Sequence, residues 1–270
     1  DGKSDRINRE ERKRRMGRSI RPSFLVLGAV AATLVLASCA TPPTDPAARA
    51  EFEKTNDPWE PLNRRIFKGN TRVERKILRP VGKAYKRSVP EFVRNRVRDF
   101  SNNFSSPVTF INDVLQGKGG RAAETAVRFI VNSVAGIGGM FDVAGQYGLK
   151  RHSEDFGQTL AVWGFKSGPY MVLPLLGPSS IRHTVGRGVD AFSNPFGYLT
   201  GSTLATRLIF GARGALGFLD EYSRNIQRIE DLEKDSVDWY ATVRSLYRQN
   251  RESEIKDGKV DKIPLPGDDE

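Results

Sequence analysis

The sequence predicts a mainly α-helical protein. Apolar residues between positions 121 and 135 recur at helical spacing on one broad face. A second stretch, residues 226–246, shows the same spacing on a charged background, which is typical of a water-exposed amphipathic helix. Alternating runs of β-branched residues, which half-buried strands require, are few. The length of 270 residues fits one large domain or two small ones.

The first 38 residues predict an export signal. Residues 1–23 carry nine Lys or Arg side chains against four acids, and the 14 residues 24–37 carry no charge. This uncharged run is too short for a spanning helix, which needs ~20 residues. It suits the apolar region of a secretory signal that follows a basic segment. Met16 is a candidate translation start within this segment.

Cys39 is the only cysteine of the chain and directly follows Leu36-Ala37-Ser38. Small residues before a lone Cys at the end of an export signal match the lipobox of bacterial lipoprotein precursors. The pattern predicts that the signal is cut before Cys39, which carries diacylglycerol and an acylated amine, and two or more acyl chains anchor a protein stably. The alternative is an inert, buried Cys beside a signal anchor.

The chain behind the signal divides into four segments. Residues 39–56 are rich in Pro, Thr, Ala and Asp and predict a lipidated flexible tether. Residues 57–223 form the main domain, which begins with a capping-box-like helix start at 57–60. Residues 224–250 predict one periplasm-facing amphipathic helix, and the polar residues 251–270 predict a disordered tail.

Within the main domain, a basic helical stretch is expected to about Lys86, and further helices are expected to begin at Ser88 and Ser106. Residues 157–178 and 204–219 are apolar but interrupted by Gly or Pro. These two stretches are apolar enough for a membrane and too interrupted to be simple spans.

Positive charge is concentrated in residues 60–99, which contain 13 basic and 4 acidic side chains and therefore a net charge of +9. On an anchored protein this stretch predicts contact with anionic lipid headgroups. The alternative is a solvated helical face. Nucleic-acid binding is not expected, because the export signal removes the chain from the cytosol.

Cofactor and enzyme signatures are weak. One Cys and two His leave almost no material for a metal site, so no metal and no cofactor are expected. Residues 177–181 lack the last Gly of a G-x-S-x-G elbow. Residues 186–191 fit G-x-G-x-x-A, but no predicted strand precedes them. The sequence thus predicts a protein that is not an enzyme.

From residue 57 onward the chain resembles the MlaA/VacJ family of outer-membrane lipoproteins. The opening D-P-W-E-P-L-N-R at 57–64 is similar to the family's D-P-x-E-x-x-N-R, and 110–117 resembles its N-x-x-L-Q-G segment. The resemblance covers roughly residues 57–251. Its other matching segments are 78–81, 89–90, 95, 100–103, 128–133, 136–144, 154–160, 168–174, 236–240 and 244–245.

The resemblance implies a ring-like bundle of short, Gly/Pro-broken amphipathic helices, embedded in one membrane leaflet around a central channel. It implies a lipoprotein in the periplasm-facing leaflet of the outer membrane of a Gram-negative bacterium. Members sit beside trimeric porins, remove phospholipids misplaced in the outer leaflet, and pass them to the periplasmic carrier of the Mla pathway. A non-transporting envelope or porin scaffold is the alternative, and an exported lipid hydrolase is a weaker one.

Two groups of site residues follow from this resemblance. The family's Phe-Asn-Phe-Asn stretch near the channel lid reads Phe67-Lys68-Gly69-Asn70 here, so Phe67 and Asn70 are gate or lid candidates. Cations among apolar residues are costly unless they face water or a headgroup, or snorkel to the interface. The channel and headgroup candidates are Arg128, Lys166, Arg182, Arg207 and Arg213.

Overall fold

A computed structural model of the protein describes residue 45, residues 56–195 and residues 204–258. For residues 204–213 it describes the helical backbone alone. The predicted signal, Cys39 with most of the tether, and residues 259–270 of the predicted tail lie outside the described residues.

Two compact units meet in sequence between Leu62 and Asn63. In the described part of the first, the carbonyl of Asp57 accepts a hydrogen bond from the N–H of Glu60 at 3.2 Å, at the predicted helix start. The second unit contains most of the secondary structure.

The prediction of a mainly helical protein is confirmed, with one small sheet that the sequence did not reveal. The elements in chain order are α1 (Glu60–Val73), a π-helical segment (Glu74–Leu78), α2 (Arg79–Ser88), α3 (Glu91–Leu115), α4 (Gly119–Val134), α5 (Val143–Gln146), α6 (Phe156–Val162), β1 (Tyr170–Leu173), β2 (Gly177–Ser180), α7 (Ile181–Ser193), α8 (Leu204–Asp235) and α9 (Trp239–Ile255).

The helix predicted to begin at Ser106 is instead the second half of α3, which runs through Pro107 without a break. A proline removes one backbone hydrogen bond from a helix and crowds the preceding turn. The hydroxyls of Ser105 and Ser106 donate to carbonyls four residues earlier, at 3.0 and 3.2 Å. The buried face of α3 also holds the helix together on both sides of the proline.

The segment predicted as a single helix over 224–250 is two helices. Helix α8 runs through the predicted start of that segment at residue 224 and ends at Asp235. Helix α9 begins at Trp239. The Asp238 carboxylate caps α9 by accepting a hydrogen bond from the N–H of Ala241 at 3.2 Å. The predicted end at residue 250 is wrong as a helix boundary, because α9 continues to Ile255.

Arg251 accounts for this continuation. Its guanidinium lies 2.6 and 3.0 Å from the two carboxylate oxygens of Asp155, the residue that caps α6. Asp257, beyond the helix, lies 2.5 Å from Lys118 and 2.8 Å from Arg121. The chain from 251 to 257 is therefore tied to α4 and α6.

Two asparagines of α1 support the β-hairpin. β1 and β2 pair antiparallel, which leaves one edge of β1 open. Asn63 donates to the carbonyl of Tyr170 at 3.1 Å and accepts from the N–H of Val172 at 2.9 Å. Two helical turns later, Asn70 repeats this pattern with the carbonyl of Leu173 and the N–H of Leu175, at 2.9 and 2.8 Å. Side-chain amides thus take the place of a third strand.

The glycine motif at 186–191 has a packing role. α6 and α7 approach so closely that a Cβ on Gly186 would lie 2.3 Å from the backbone nitrogen of Gly157. Only glycine fits such a contact. The element before α7 is β2, but this strand is paired within the hairpin and is not part of a nucleotide-binding βαβ unit.

Part of the basic stretch is neutralised by acids of α8. Arg75 and Arg79 lie 2.6 and 2.8 Å from Glu233, and Lys83 lies 2.7 Å from Glu230. Hydrogen bonding to Glu74, and then to Glu233, raises the pKa of Arg79 against the opposing effect of burial. For these three cations the structure favours ion pairing within the protein over headgroup contact.

Replacing Asn63 by Ala is expected to lower the free energy of unfolding by about 2–4 kcal/mol. Two buried backbone groups of β1 would lose their partners, and each unpaired group costs about 1–3 kcal/mol. Denaturant unfolding of the detergent-solubilised protein measures this effect. The control is Asn225→Ala, because in the described part of the chain the Asn225 amide donates only to Glu221, one helical turn earlier. Equal effects of the two substitutions would contradict the support role of Asn63.

Truncation of the chain after Asn250 is expected to lower the melting temperature by several degrees. It removes the Arg251–Asp155 pair and the contacts of Asp257, and a loss of about 1 kcal/mol shifts the melting temperature by roughly 2–4 °C in a domain of this size. Truncation after Gly258 keeps all these contacts and serves as the matched control. If both shortened chains melt alike, residues 251–257 contribute nothing to stability.

Candidate functional site

The second unit buries polar side chains and exposes apolar ones. Among the described residues of the whole chain, seven apolar or aromatic side chains are buried against seventeen polar or charged ones. Helix α4 shows the inversion most clearly: Thr125, Arg128 and Asn132 are buried, whereas Ile130 and Val134 are 58% and 80% exposed. The apolar face that predicted this helix is therefore its exposed face.

Helix α3, which packs against α4, has the same inverted pattern. Its buried residues are all polar, whereas Phe92, Val93 and Val114 are exposed. The approach of the two helices depends on Gly139, just after α4: it has φ +90°, and a Cβ there would lie 2.4 Å from the Asn103 side chain. The polar faces of α3 and α4 thus meet in the interior.

A polar cavity of about 30 Å³ lies between these faces, enough for one water molecule. The described side chains that line it are all polar or charged. Its lining residues are Asp99, Asn102, Asn103, Ser105, Ser106, Thr109, Thr125, Arg128, Asn132, Asp142, Arg151 and His152.

Arg128 is the predicted cation that the structure places at this cavity. Its guanidinium contacts both carboxylate oxygens of Asp142, at 2.8 and 3.0 Å, and donates to the carbonyl of Leu149. Burial acts to raise the pKa of Asp142, but hydrogen bonds from Arg128, Asn132 and the N–H of Gly145 outweigh it and hold this pKa below its usual value. Arg128 is thus already paired with an anion of the protein.

A second, larger cavity of about 380 Å³ lies beside the first, between α3 and α8. The two share Asn102, Ser105 and Arg151. The remaining lining residues of the larger cavity are Arg98, Ser101, Gly214, Gly217, Phe218 and Glu221.

Arg151 lines both cavities. Its side chain is accessible to solvent, yet the surrounding protein lowers its pKa by desolvation, an effect that the charge of Glu221 partly opposes. Such a combination is expected of a group inside a water-filled cleft. Arg151 forms no hydrogen bond or ion pair with any described residue, unlike Arg128.

Deeper in the same unit, a buried network surrounds Asp113 and Glu154. Asp113 accepts from the Thr125 hydroxyl at 2.8 Å and lies 2.9 Å from His152 Nε2. Burial raises the pKa of Glu154, although Gln116, Lys118 and Arg121 all stabilise its charged form. These groups pair with one another and so fix the interior, although the buried Gln116 Oε1 and Arg121 Nε have no hydrogen-bond partner among the described residues.

Lys166 and Arg182 are not brought to this cavity pair. Lys166 lies in an exposed loop, and Arg182 donates to the carbonyl of Phe165 at 2.7 Å. Burial, together with the charge of Arg251, lowers the pKa of Arg182. The side chains of Arg207 and Arg213 lie outside the described residues, as does Cys39.

Phe67 and Asn70, the gate or lid candidates, line a separate apolar groove of about 550 Å³. Phe67 also packs edge-to-face on Tyr240, with ring centroids 5.4 Å apart, and Asn70 holds the hairpin turn. Leu175 and Leu176 of that turn also line the groove and are 74% and 65% exposed.

The residues that sequence reasoning missed are the polar ones of α3 and Arg151. Their signal was present in α3, where Asp99, Asn103 and Asp113 recur at helical spacing. A polar stripe of this kind normally indicates the solvent-facing side of a helix. It indicates a buried side only in a protein that buries polar side chains and exposes apolar ones.

Within the described part of the chain, no helix is long and apolar enough to cross a bilayer. The same residues contain no group of His, Cys, Asp or Glu that could hold a metal ion.

The family model described as MlaA lipoprotein matches residues 55–254. A protein of Rickettsia bellii is 36% identical over 216 residues, which cover 78% of this chain and 81% of the relative. The intermembrane phospholipid transport system lipoprotein MlaA of Haemophilus influenzae is 30% identical over 249 residues, or 90% of this chain and 96% of the relative.

A solved structure concerned with the maintenance of bacterial outer membrane lipid asymmetry has a similar fold. It aligns with a TM-score of 0.63 and 29% sequence identity, over 74% of this chain and 98% of the solved chain.

Replacing Asp142 by Asn is expected to lower the free energy of unfolding by about 2 kcal/mol at pH 7, because the buried Arg128 loses its ionic partner. The Asp142 pKa is lowered in the folded state, so its contribution is complete above the ordinary value of 3.8 and is lost as the pH falls through the folded value. Denaturant unfolding at pH 7 and pH 3 measures both effects.

The difference in the free energy of unfolding between wild type and Asp142→Asn should therefore become smaller toward pH 3. Asp231→Asn is the control, since among the described residues Asp231 accepts a hydrogen bond only from the exposed Gln227 of α8. A difference that stays constant with pH would exclude ionisation of Asp142 as the source of the effect.

Proposed function

Because this chain belongs to the MlaA lipoprotein family, we propose that it takes part in intermembrane phospholipid transport and so maintains the lipid asymmetry of the outer membrane. The name of the Haemophilus influenzae relative states this transport function, and the solved structure concerns the asymmetry. The chain covers nearly the whole length of both.

The observation that carries the proposal is the inverted burial. A phospholipid headgroup cannot enter an apolar medium without losing its hydrogen bonds to water. A cleft lined by amides, hydroxyls and guanidinium groups replaces those bonds, and an apolar exterior lets such a cleft exist within a bilayer. The faces of α3 and α4 provide both surfaces.

We propose that these helices lie in the periplasm-facing leaflet. Helices that do not span a bilayer lie in its interface when one face is apolar and the other polar. The ring with a central channel, which the resemblance implies, remains part of this proposal. The first cavity is too small for a headgroup as it stands, so transport would require the polar side chains at its junction with the larger one to move.

Anchoring and partners complete the proposal. Cys39 would hold the chain on the outer membrane through its acyl chains. Trimeric porins would be its neighbours, and a periplasmic carrier would receive the lipid without any bond being made or broken. The amphipathic α9 is a candidate contact for that carrier.

Deletion of the gene is expected to raise the amount of phospholipid in the outer leaflet. The wild-type gene should restore it, and a Cys39→Ala variant should not, because the protein would lose its anchor. Outer-leaflet phospholipid is measured by the accessibility of its headgroups to a reagent added to intact cells. Unchanged outer-leaflet phospholipid after deletion would favour the porin or envelope scaffold over transport.

A further inference from the structure

The 380 Å³ cavity between α3 and α8 carries an unused set of hydrogen-bond donors. Arg151 is unpaired among the described residues. On α3, the Ser101 hydroxyl and the Asn102 amide form no side-chain hydrogen bond within the described part of the chain. Arg98 is only weakly engaged, with its Nε 3.5 Å from Asp99. These groups surround one space, whose volume falls within the ~300–1,000 Å³ typical of small-molecule sites.

This donor set is suited to a phosphate group. A guanidinium forms two parallel hydrogen bonds to phosphate oxygens, and such charge-assisted bonds are stronger than neutral ones. Hydroxyl and amide donors complete the coordination of the remaining oxygens. The Arg151 guanidinium has no partner anion among the described residues, so its charge and its hydrogen-bond donors can be used by an anion that enters the cavity.

Two neighbouring features indicate that the anion belongs to a lipid. Phe218 lines the polar cavity and also the apolar groove of about 550 Å³, so the two spaces are adjacent at this residue. An amphiphile can place its headgroup in one and an acyl chain in the other. Glu221 lines the polar cavity, and its Oε1 accepts a hydrogen bond from Asn225 at 3.0 Å, whereas its second oxygen accepts none from the described residues. Its second oxygen can accept from an ammonium group.

We propose that Arg151, with Arg98 and Asn102, binds the phosphate of a phospholipid headgroup in this cavity, and that Glu221 favours headgroups that carry an amine. This inference rests on the proposed function and names the site at which that function engages its substrate. Arg128, by contrast, is held by Asp142 and positions the adjoining wall.

Binding of short-chain phosphatidylethanolamine and phosphatidylglycerol to the full-length protein in detergent tests the site. Arg151→Gln should weaken binding of both lipids about tenfold or more, as expected for loss of a charge-assisted contact. Gly214→Leu should do the same by filling the cavity, since no atom lies within 4 Å of a Cβ at Gly214. Arg228→Gln, at an exposed position of α8, is the matched control and should bind normally. Glu221→Gln should remove the preference for the ethanolamine lipid.

Several outcomes would overturn the site. Equal lipid affinity of Arg151→Gln and Arg228→Gln would exclude Arg151. If inorganic phosphate displaces the bound lipids as effectively as another phospholipid does, the cavity is a site for free anions. Thermal unfolding checks that each variant is folded, and Arg151→Lys, which keeps the charge, should bind better than Arg151→Gln. If deletion of the gene raises outer-leaflet phospholipid and the Arg151→Gln variant fully restores the normal level, the proposed site is wrong while the transport function stands. If deletion of the gene leaves outer-leaflet phospholipid unchanged, the proposed transport function itself is wrong.

Discussion

The requirement that a buried polar group finds a partner governs this fold. The interior of the second unit is lined by carboxylates, amides and guanidinium groups, each of which would cost several kcal/mol if left alone. Asp142 accepts from Arg128, Asn132 and the N–H of Gly145 at once. Because each partner also belongs to another contact, the position of α4 fixes the position of the chain that follows it.

Apolar burial has a smaller part in holding the fold together. The buried aromatic group of Tyr170 and Tyr240, with Phe67 packed against it, joins the hairpin to α1 and α9. Elsewhere few apolar side chains are buried, among them Tyr222 and Ile226 of α8, and many of the large ones are exposed. In water this arrangement would be unfavourable by roughly 25 cal/mol for each Å² of apolar surface left uncovered. In the leaflet that we propose for this protein, acyl chains would solvate the same surface and so account for the inversion.

Sequence periodicity located the helices but did not show what their apolar faces contact. The spacing over 121–135 predicted α4 correctly, yet hydropathy alone cannot tell an apolar face that packs on a core from one that packs on lipid. The hairpin was missed because Asn63 and Asn70 supply its open edge from a distant helix, a pairing no local pattern reveals. Arg151 was missed because the sequence does not show which side chains surround it, and so cannot show that no described residue pairs with it. Arg128 was found because a cation among apolar residues stands out in any reading.

The amide support of β1 has a consequence for self-association. A two-stranded hairpin exposes backbone donors and acceptors along each free edge, and such an edge can recruit a strand from another molecule. Here Asn63 and Asn70 occupy the hydrogen-bonding positions of one edge from Tyr170 to Leu175. An incoming strand would have to displace both side chains before it could pair. Helix α1 thus hinders edge-to-edge association of hairpins from different molecules.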